Sequence, residues 1–251
     1  MRDALKTAAA TITTFVALML LWYGAIALFE IPAYVLPTPG QVGTALVHGW
    51  VGGSLWEHAA FTMTAAFTGF VIGALAGIVV GALVAEIRVM SLAVYPVIIA
   101  IQSMPTVAIA PLIVVYLGVG MGSKVFTVAL LCFFPVFVNT VAGLNAADPR
   151  LVDLYRAFSA GRLRVFFDVK LPGAVDHIMA SLQIAVVLAF VGCVVSEFVA
   201  STKGLGHIIR TFASDLNVAF MFAAIVSLGA LGAVAGTAVA KLHRALVYWR
   251  P

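Results

Sequence analysis

The sequence predicts an all-α polytopic membrane protein: a bundle of about six spanning helices with short coupling helices on the cytoplasmic side. Three observations carry this. Of 251 residues, 63% are hydrophobic and only 10% charged, against about a quarter charged in an ordinary soluble domain; the mean hydropathy is +1.14. Apolar runs of the length that crosses a bilayer, about 20 residues, recur along the whole chain. Between two of them lies a polar island, Asp148 to Pro172, where Arg150, Arg156, Arg162, Arg164 and Lys170 alternate with Asp148, Asp153 and Asp168. Residues 1–251 form one transmembrane domain, with 148–172 as a distinct segment inside it. Cys132 and Cys193 sit within apolar runs, without metal-ligand spacing, and are small core residues. No metal site is indicated. The net charge of +4 reports membrane orientation before it suggests nucleic acid, which is not a partner.

Arg2 and Lys6 precede the first run, about Ala8 to Phe29, which exceeds the 7–15 residues of a signal-peptide core and suits a span. Glu30 to Ala60, with Pro32, Pro37 and Pro39 but no Lys or Arg, is expected as an external loop carrying a short helix near Val42 to Val47. His48 and His58 fall in it and His207 in a later loop, without metal-ligand spacing. The second span, about Thr62 to Ala85, bears Gly69, Gly73, Gly77 and Gly81, one every fourth residue. In lipid no hydrophobic effect draws helices together, so a stripe of missing side chains lets a neighbouring backbone approach and gain dispersion contacts.

Glu86 and Arg88 turn the chain into a third span, about Leu92 to Gly118, interrupted by Pro96, Pro105 and Pro111. Freed carbonyls inside a membrane are tolerated only where protein or a cavity satisfies them. The break at Gln102, Ser103 and Pro105 is therefore a candidate lining for a translocation path, and a packing kink explains it equally well. The turn Gly118 to Lys124, GVGMGSK, lacks the GxxxxGK[ST] order of a phosphate loop, and no other stretch offers an ATP site. The fourth span, about Val125 to Leu144, holds Pro135 and Asn139; the fifth, about His177 to Ala200, holds Gln183 and Glu197; the sixth, from about Ala219 to Ala240, holds Gly232 and Gly236 as a second close-packing pair. Gln102, Ser103, Asn139 and Gln183 are weighed as interhelical hydrogen bonds ahead of solute ligands. Glu197, a costly intramembrane acid, is expected in a structural or gating ion pair with Lys203 or Arg210, ahead of direct solute contact.

Six spans with a cytoplasmic N-terminus put Arg2, Lys6, Arg88, Arg150, Arg156, Arg162, Arg164, Lys170, Lys241, Arg244 and Arg250 inside, and Lys124, Lys203 and Arg210 outside. Eleven against three is a positive-inside bias that places both termini and the island in the cytoplasm. Within the island, Asp148 caps a helix that starts at Pro149. Leu151, Leu154, Tyr155 and Phe158 recur at helical spacing until Gly161 breaks the run, and Leu163, Phe166 and Phe167 begin a second short helix that ends at Leu171-Pro172. Such a pair suits docking on a partner or, alternatively, lying at lipid headgroups.

The island resembles the EAA motif of binding-protein-dependent ABC importer permeases: EAA, three residues, Gly, then Leu-Pro about twelve residues on. Counting back from Leu171-Pro172 puts the motif glycine at Ser159 and the triplet at Asp153-Leu154-Tyr155; Arg156 and Ala160 agree. The resemblance extends to Leu36-Pro37-Thr38-Pro39, Pro105 to Gly118, Phe133-Phe134-Pro135 with Asn139-Thr140, and Ser196-Glu197-Phe198 with Gly204-Leu205-Gly206. Together these are similar to the nitrate/sulfonate/taurine class, leaning to its riboflavin and thiamine-precursor pyrimidine branch.

The resemblance implies a type I importer permease of the bacterial inner membrane, with no cofactor of its own. ATP is bound by a separate cytoplasmic ATPase dimer, solute arrives on an external binding protein, and the permease pairs with itself or a close relative, which fits the glycine stripes. It assigns Leu154, Tyr155, Phe158, Phe166 and Phe167 to anchoring on the ATPase, and Asp153, Arg156, Arg162 and Arg164 to polar rim contacts. The coupling segment also takes in Ser159, Ala160 and Gly161, and the departures from the motif at Leu154, Tyr155 and Ser159 imply a bulkier and less tightly turned coupling helix. A secondary transporter or channel is the competing class and would show two homologous halves or mid-membrane charges; a membrane enzyme would show clustered His, Asp and Glu at one face. The sequence shows neither, and leaves the solute open among pyrimidine or flavin precursors, nitrate, sulfonates and taurine.

Overall fold

Length and hydropathy single out five helices able to cross a bilayer among residues 2–247, which the computed structural model describes. They lie at Ile12–Phe29, Ser54–Glu86, Met121–Asn145, Arg162–Val199 and Val218–Leu246, and a bent pair, Arg88–Gln102 with Val107–Leu117, makes up to six. In chain order the helices are α1 (Arg2–Phe29), α2 (Pro39–Val51), α3 (Ser54–Glu86), α4 (Arg88–Gln102), α5 (Thr106–Leu117), α6 (Met121–Asn145), α7 (Pro149–Ala157), α8 (Arg162–Val165), α9 (Leu171–Val199), α10 (Leu205–Ser214) and α11 (Val218–Leu246). No strand occurs among the described residues.

The centre is α3 on α6 on α9. A Cβ added to Gly69 would fall 2.5 Å from Val128 Cβ, one on Gly77 2.9 Å from the Phe133 carbonyl, and one on Gly81 2.9 Å from Thr140 Cβ; Gly73 abuts the Ala129 carbonyl in the same way. The glycine stripe thus does what its spacing predicts, letting a neighbouring backbone approach, and that neighbour is α6 of the same chain and not a second copy. Gly232 would only touch the Phe190 ring, at 3.7 Å, and Gly236 faces open space, so that pair makes no close helix contact within the chain. Ala65, Ala66, Val128, Cys132, Ala185, Ala189 and Cys193 fill the α3–α6–α9 seam.

Several boundaries move. The second span begins at Ser54, behind Gly53 at φ +80°, and not at Thr62. Its 33 residues measure about 50 Å, against a hydrocarbon thickness of about 30 Å. The excess, with Leu55 and Ala59, packs on Leu205, Ile208, Ile209 and Ala224 at one end of the bundle. The loop helix α2 is longer than expected and starts at a capping box, in which the Thr38 hydroxyl accepts from Gln41 N–H at 3.3 Å and the Gln41 side chain from Thr38 N–H at 2.8 Å.

The third span is broken as its prolines require: α4 and the helix from Val107 meet at 101°, with Ser103, Met104 and Pro105 between them. The largest correction concerns Leu171-Pro172, where no helix ends. One apolar helical stretch of 38 residues runs from Arg162 to Val199. Leu171 N–H bonds the Phe166 carbonyl five residues back, opening a π turn over Phe166–Lys170. That widening gives Pro172 room for its ring and its missing N–H at the start of α9.

The two ends of the bundle carry different ion pairs. Lys170 Nζ meets Glu86 Oε1 at 2.6 Å, fixing the island to the α3–α4 turn. At the far end, Lys203 meets Glu57 at 2.5 Å. The described part of α1 lies outside the core, held where Trp22 donates to the Pro37 carbonyl at 3.1 Å and its ring leans on Phe222.

Candidate functional site

The island folds as a helix, a tight turn and the base of α9. Asp148 accepts from Arg150 N–H at 2.9 Å, as an N-cap should, and α7 follows. It ends where Ser159 N–H bonds the Arg156 carbonyl at 2.9 Å and Ala160 N–H bonds the Tyr155 carbonyl at 3.0 Å. These are the two bonds of a Schellman motif, whose pivot adopts the left-handed conformation. The pivot is Ser159, at φ +57°. It occupies the position that counting back from Leu171-Pro172 gives to the motif glycine, so the turn is tight, and the expectation of a looser turn is wrong. Gly161, with an ordinary negative φ, precedes α8.

Val152, Val165 and Val169 form a small core that clamps α7 onto the base of α9. The resemblance assigns five apolar residues to anchoring. Leu154, Phe158 and Phe167 project outward, Phe158 with 81% of its surface exposed. Tyr155 packs against the valine core and Phe166 against Leu144, Ala174 and Ile178, so these two hold the island together at least in part. Leu163, 75% exposed, belongs to the outward set and was not assigned to it. On the rim, Arg156 faces Asp153 at 3.8 Å and Arg164 faces Asp168 at 3.3 Å, both pairs open to solvent.

At the opposite end of α9, Glu197 is fully buried. Its Oε1 accepts from the Thr62 hydroxyl at 2.8 Å and its Oε2 from Gly206 N–H at 2.6 Å. The Thr62 oxygen also accepts from Leu205 N–H at 2.9 Å, and His58 Nδ1 accepts from Gly204 N–H at 3.0 Å. Three successive amides at the start of α10 are therefore each met by a side chain from α3 or α9. The first N–H groups of a helix have no partner within it, and a carboxylate there also suits the helix dipole. The expected pairing of Glu197 with Lys203 or Arg210 does not occur: Lys203 is taken by Glu57, and Arg210 donates to the Phe198 carbonyl at 2.7 Å.

Sequence reasoning missed Lys124. Counted among external loop residues, it is completely buried in α6, and its Nζ donates to the Val119 carbonyl at 2.8 Å, to Ser123 Oγ at 3.4 Å and to the Ala200 carbonyl. It ties the end of α9 to the α5–α6 turn. The adjacent glycines had made it look like a loop residue; nothing nearby in the sequence marks its partners.

The remaining path candidates do not converge. Gln102 and Pro105 are exposed at the break, and Ser103 Oγ donates to Ile99 of its own helix at 3.2 Å. Asn139 donates back to the Pro135 carbonyl at 2.8 Å. Gln183 makes an interhelical bond, Nε2 to His243 Nδ1 at 2.6 Å, and His243 Nε2 meets Asp176 at 2.9 Å, joining α9 to α11. Among the described residues no three His, Cys, Asp or Glu are grouped to hold a metal.

Residues 69–248 match the family described as binding-protein-dependent transport system inner membrane component. The riboflavin transport system permease protein of Chloroflexus aurantiacus is 31% identical over 94% of this chain and 88% of its own length. The formylaminopyrimidine transport permease protein of Halalkalibacterium halodurans is 30% identical over 94% of each chain. The taurine transport system permease protein of Escherichia coli is 27% identical over 95% of this chain and 89% of its own. Among solved structures, an inward-facing MetNI methionine ABC transporter superposes with a TM-score of 0.64 at 21% identity, covering 80% of this chain and 98% of that one.

Proposed function

Because this chain belongs to the family of binding-protein-dependent transport system inner membrane components, as the permease subunit of an ABC importer, we propose that it carries a pyrimidine or riboflavin-type precursor into the cell. Two relatives at 30% identity or above are permeases named for riboflavin and formylaminopyrimidine, while the taurine permease is more distant at 27%. In this reading both termini and the island face the cytoplasm, and the subunit performs no chemistry. A separate ATPase dimer supplies ATP hydrolysis, an external protein delivers solute, and a second copy completes the path.

The observation that carries the coupling role is the Ser159 turn. It turns the chain sharply between α7 and α8 and leaves Leu154 and Phe158 projecting outward. The island is continuous with the 38-residue stretch ending at Val199, about 57 Å long. A tilt imposed at the island is thereby delivered to Glu197 and α10 at the far end, which is how a closing ATPase would move the outer half of the path.

Co-expression with the ATPase and binding protein encoded alongside, followed by uptake of labelled riboflavin, formylaminopyrimidine and taurine in proteoliposomes, tests the proposal. ATP-dependent uptake of riboflavin or the pyrimidine, with taurine excluded, is expected. Uptake of taurine alone would reassign the solute, and uptake without any ATPase would overturn the coupling role.

A further inference from the structure

Two adjoining recesses at the island end have shapes and linings that complement each other. The first is a cleft of about 600 Å³ between the α3–α4 turn and the α7–α8 turn, lined by Glu86, Arg88, Arg156, Arg162 and Lys170 among others. Among the described residues its one acid is already engaged by Lys170 at 2.6 Å, and Arg156 is paired at 3.8 Å with Asp153, which is open to solvent. Arg88 and Arg162 form no ion pair or side-chain hydrogen bond with the described residues. The cleft therefore holds cationic charge without matching anions, a standing demand for a negative ligand.

The second recess is a trough of about 560 Å³. Val79, Ala82 and Leu83 form one wall, on the last turns of the apolar helix α3, and Leu163, Phe166 and Leu171 the other. Its lining is almost wholly hydrocarbon. Glu86, Ile87 and Arg162 line both recesses, so the cationic cleft opens directly into the apolar trough. The trough wall on α3 belongs to a membrane-spanning segment, and the cleft lies just past that segment's end.

We propose that this paired recess binds one anionic phospholipid from the leaflet at the coupling end, its phosphate in the cleft against Arg88 and Arg162 and an acyl chain along the Val79–Phe166 trough. A free phosphate would have no use for the trough, and an apolar protein segment would leave the arginines unmatched. Basic pockets beside spanning helices select anionic headgroups by this arrangement. The site sits between the α3–α4 turn and the coupling turn, so the lipid bridges the end of a spanning helix and the island. It differs from general headgroup attraction in having a defined chain-binding half.

The test is native mass spectrometry of the purified permease–ATPase complex titrated with phosphatidylglycerol and, separately, phosphatidylcholine. One retained phosphatidylglycerol per permease chain is expected, with phosphatidylcholine lost. Arg88→Gln should weaken retention about fivefold, the value of one basic residue at an anionic surface, and Arg88→Lys should restore most of it. Val79→Trp, at an exposed position where the fold tolerates bulk, should abolish retention by filling the trough. Equal retention of the two lipids, or no effect of either substitution, would overturn the proposal. Displacement by inorganic phosphate with Val79→Trp inert would show a plain anion site, and loss of the ATPase or the second copy in Val79→Trp would show that protein covers the trough; either result overturns it as well.

Discussion

Gly204 and Glu197 are fitted to one another so closely that only hydrogen can stand between them. A Cβ built on Gly204 would overlap the Glu197 carboxyl group, and Gly204 itself adopts φ +106°, a conformation that side chains disfavour. Gly206, two residues on, would bring a Cβ within 2.9 Å of the same carboxylate while its N–H is bonded to it. Acid and glycines form one device, in which a buried carboxylate is held in place by the amides of the helix it caps.

Gly204→Ala is accordingly expected to destabilise the protein by more than the about 1–3 kcal/mol that this nearly glycine-only backbone conformation costs a residue with a side chain, because the carboxyl must also move. Glu197→Ala should cost about 1–3 kcal/mol by leaving buried donors on Thr62 and Gly206 without an acceptor. Glu197→Gln, which keeps one acceptor oxygen, should lie between Glu197→Ala and the wild type. Thermal unfolding in detergent of the three variants gives the order. If Glu197→Ala melts with the wild type, the capping role is wrong.

Lys124 and Lys203 offer a matched comparison. Both were counted as basic residues of the same membrane face, yet Lys124 is buried with its ammonium on two carbonyls and a hydroxyl, and Lys203 is half exposed in a pair with Glu57. Lys124→Met is expected to lower stability by about 1–3 kcal/mol through lost charge-assisted bonds. Lys203→Met should cost no more than about 1 kcal/mol, as exposed pairs do. Equal melting temperatures for the two variants would contradict the burial of Lys124.

What the sequence disclosed, and what it hid, divides along the range of the interactions. The glycine stripe was legible because its spacing is a property of one helix, although the identity of its partner, α6, was not. The proline break near Pro105 was legible for the same reason. Leu171-Pro172 misled because a proline ordinarily stops a helix, and the π turn that admits it depends on a bond from Leu171 to Phe166 that no local rule specifies. Glu197 was recognised as significant, but its partners are backbone amides across a loop and a threonine more than a hundred residues away. Charged neighbours in the sequence, Lys203 and Arg210, were the natural and wrong choice.

Ser159→Gly should stabilise the island. The Schellman pivot sits at φ +57°, where glycine avoids a penalty of about 1 kcal/mol that serine carries. Ser159→Val, β-branched at the same φ, should destabilise by a comparable or larger amount. Hydrogen exchange of the Tyr155 to Gly161 amides would report both, slower in the first variant and faster in the second. Faster exchange in Ser159→Gly would mean that the hydroxyl, not the backbone, holds the turn.

The coupling role separates from stability most cleanly at Phe158. Its ring is 81% exposed and contributes little to the valine core beneath it, so Phe158→Ala should leave the stability within about 0.5 kcal/mol of the wild type. If the ring seats in the ATPase, the same substitution should weaken co-purification of the ATPase and reduce ATP-driven uptake by about tenfold or more, in the range of an aromatic anchor at an interface. Arg156→Glu, on the rim, should insert into the membrane normally and also uncouple transport, since it reverses a charge that the exposed Asp153 already partly balances. Val152→Ala supplies the contrast: it hollows the clamp under α7 and should lower stability as well as uptake. The pattern of uptake lost with stability kept at Phe158 and Arg156, but both lost at Val152, is what an outward docking face on a rigid base requires. Full uptake with normal ATPase recovery in both surface variants would remove the island from the coupling path.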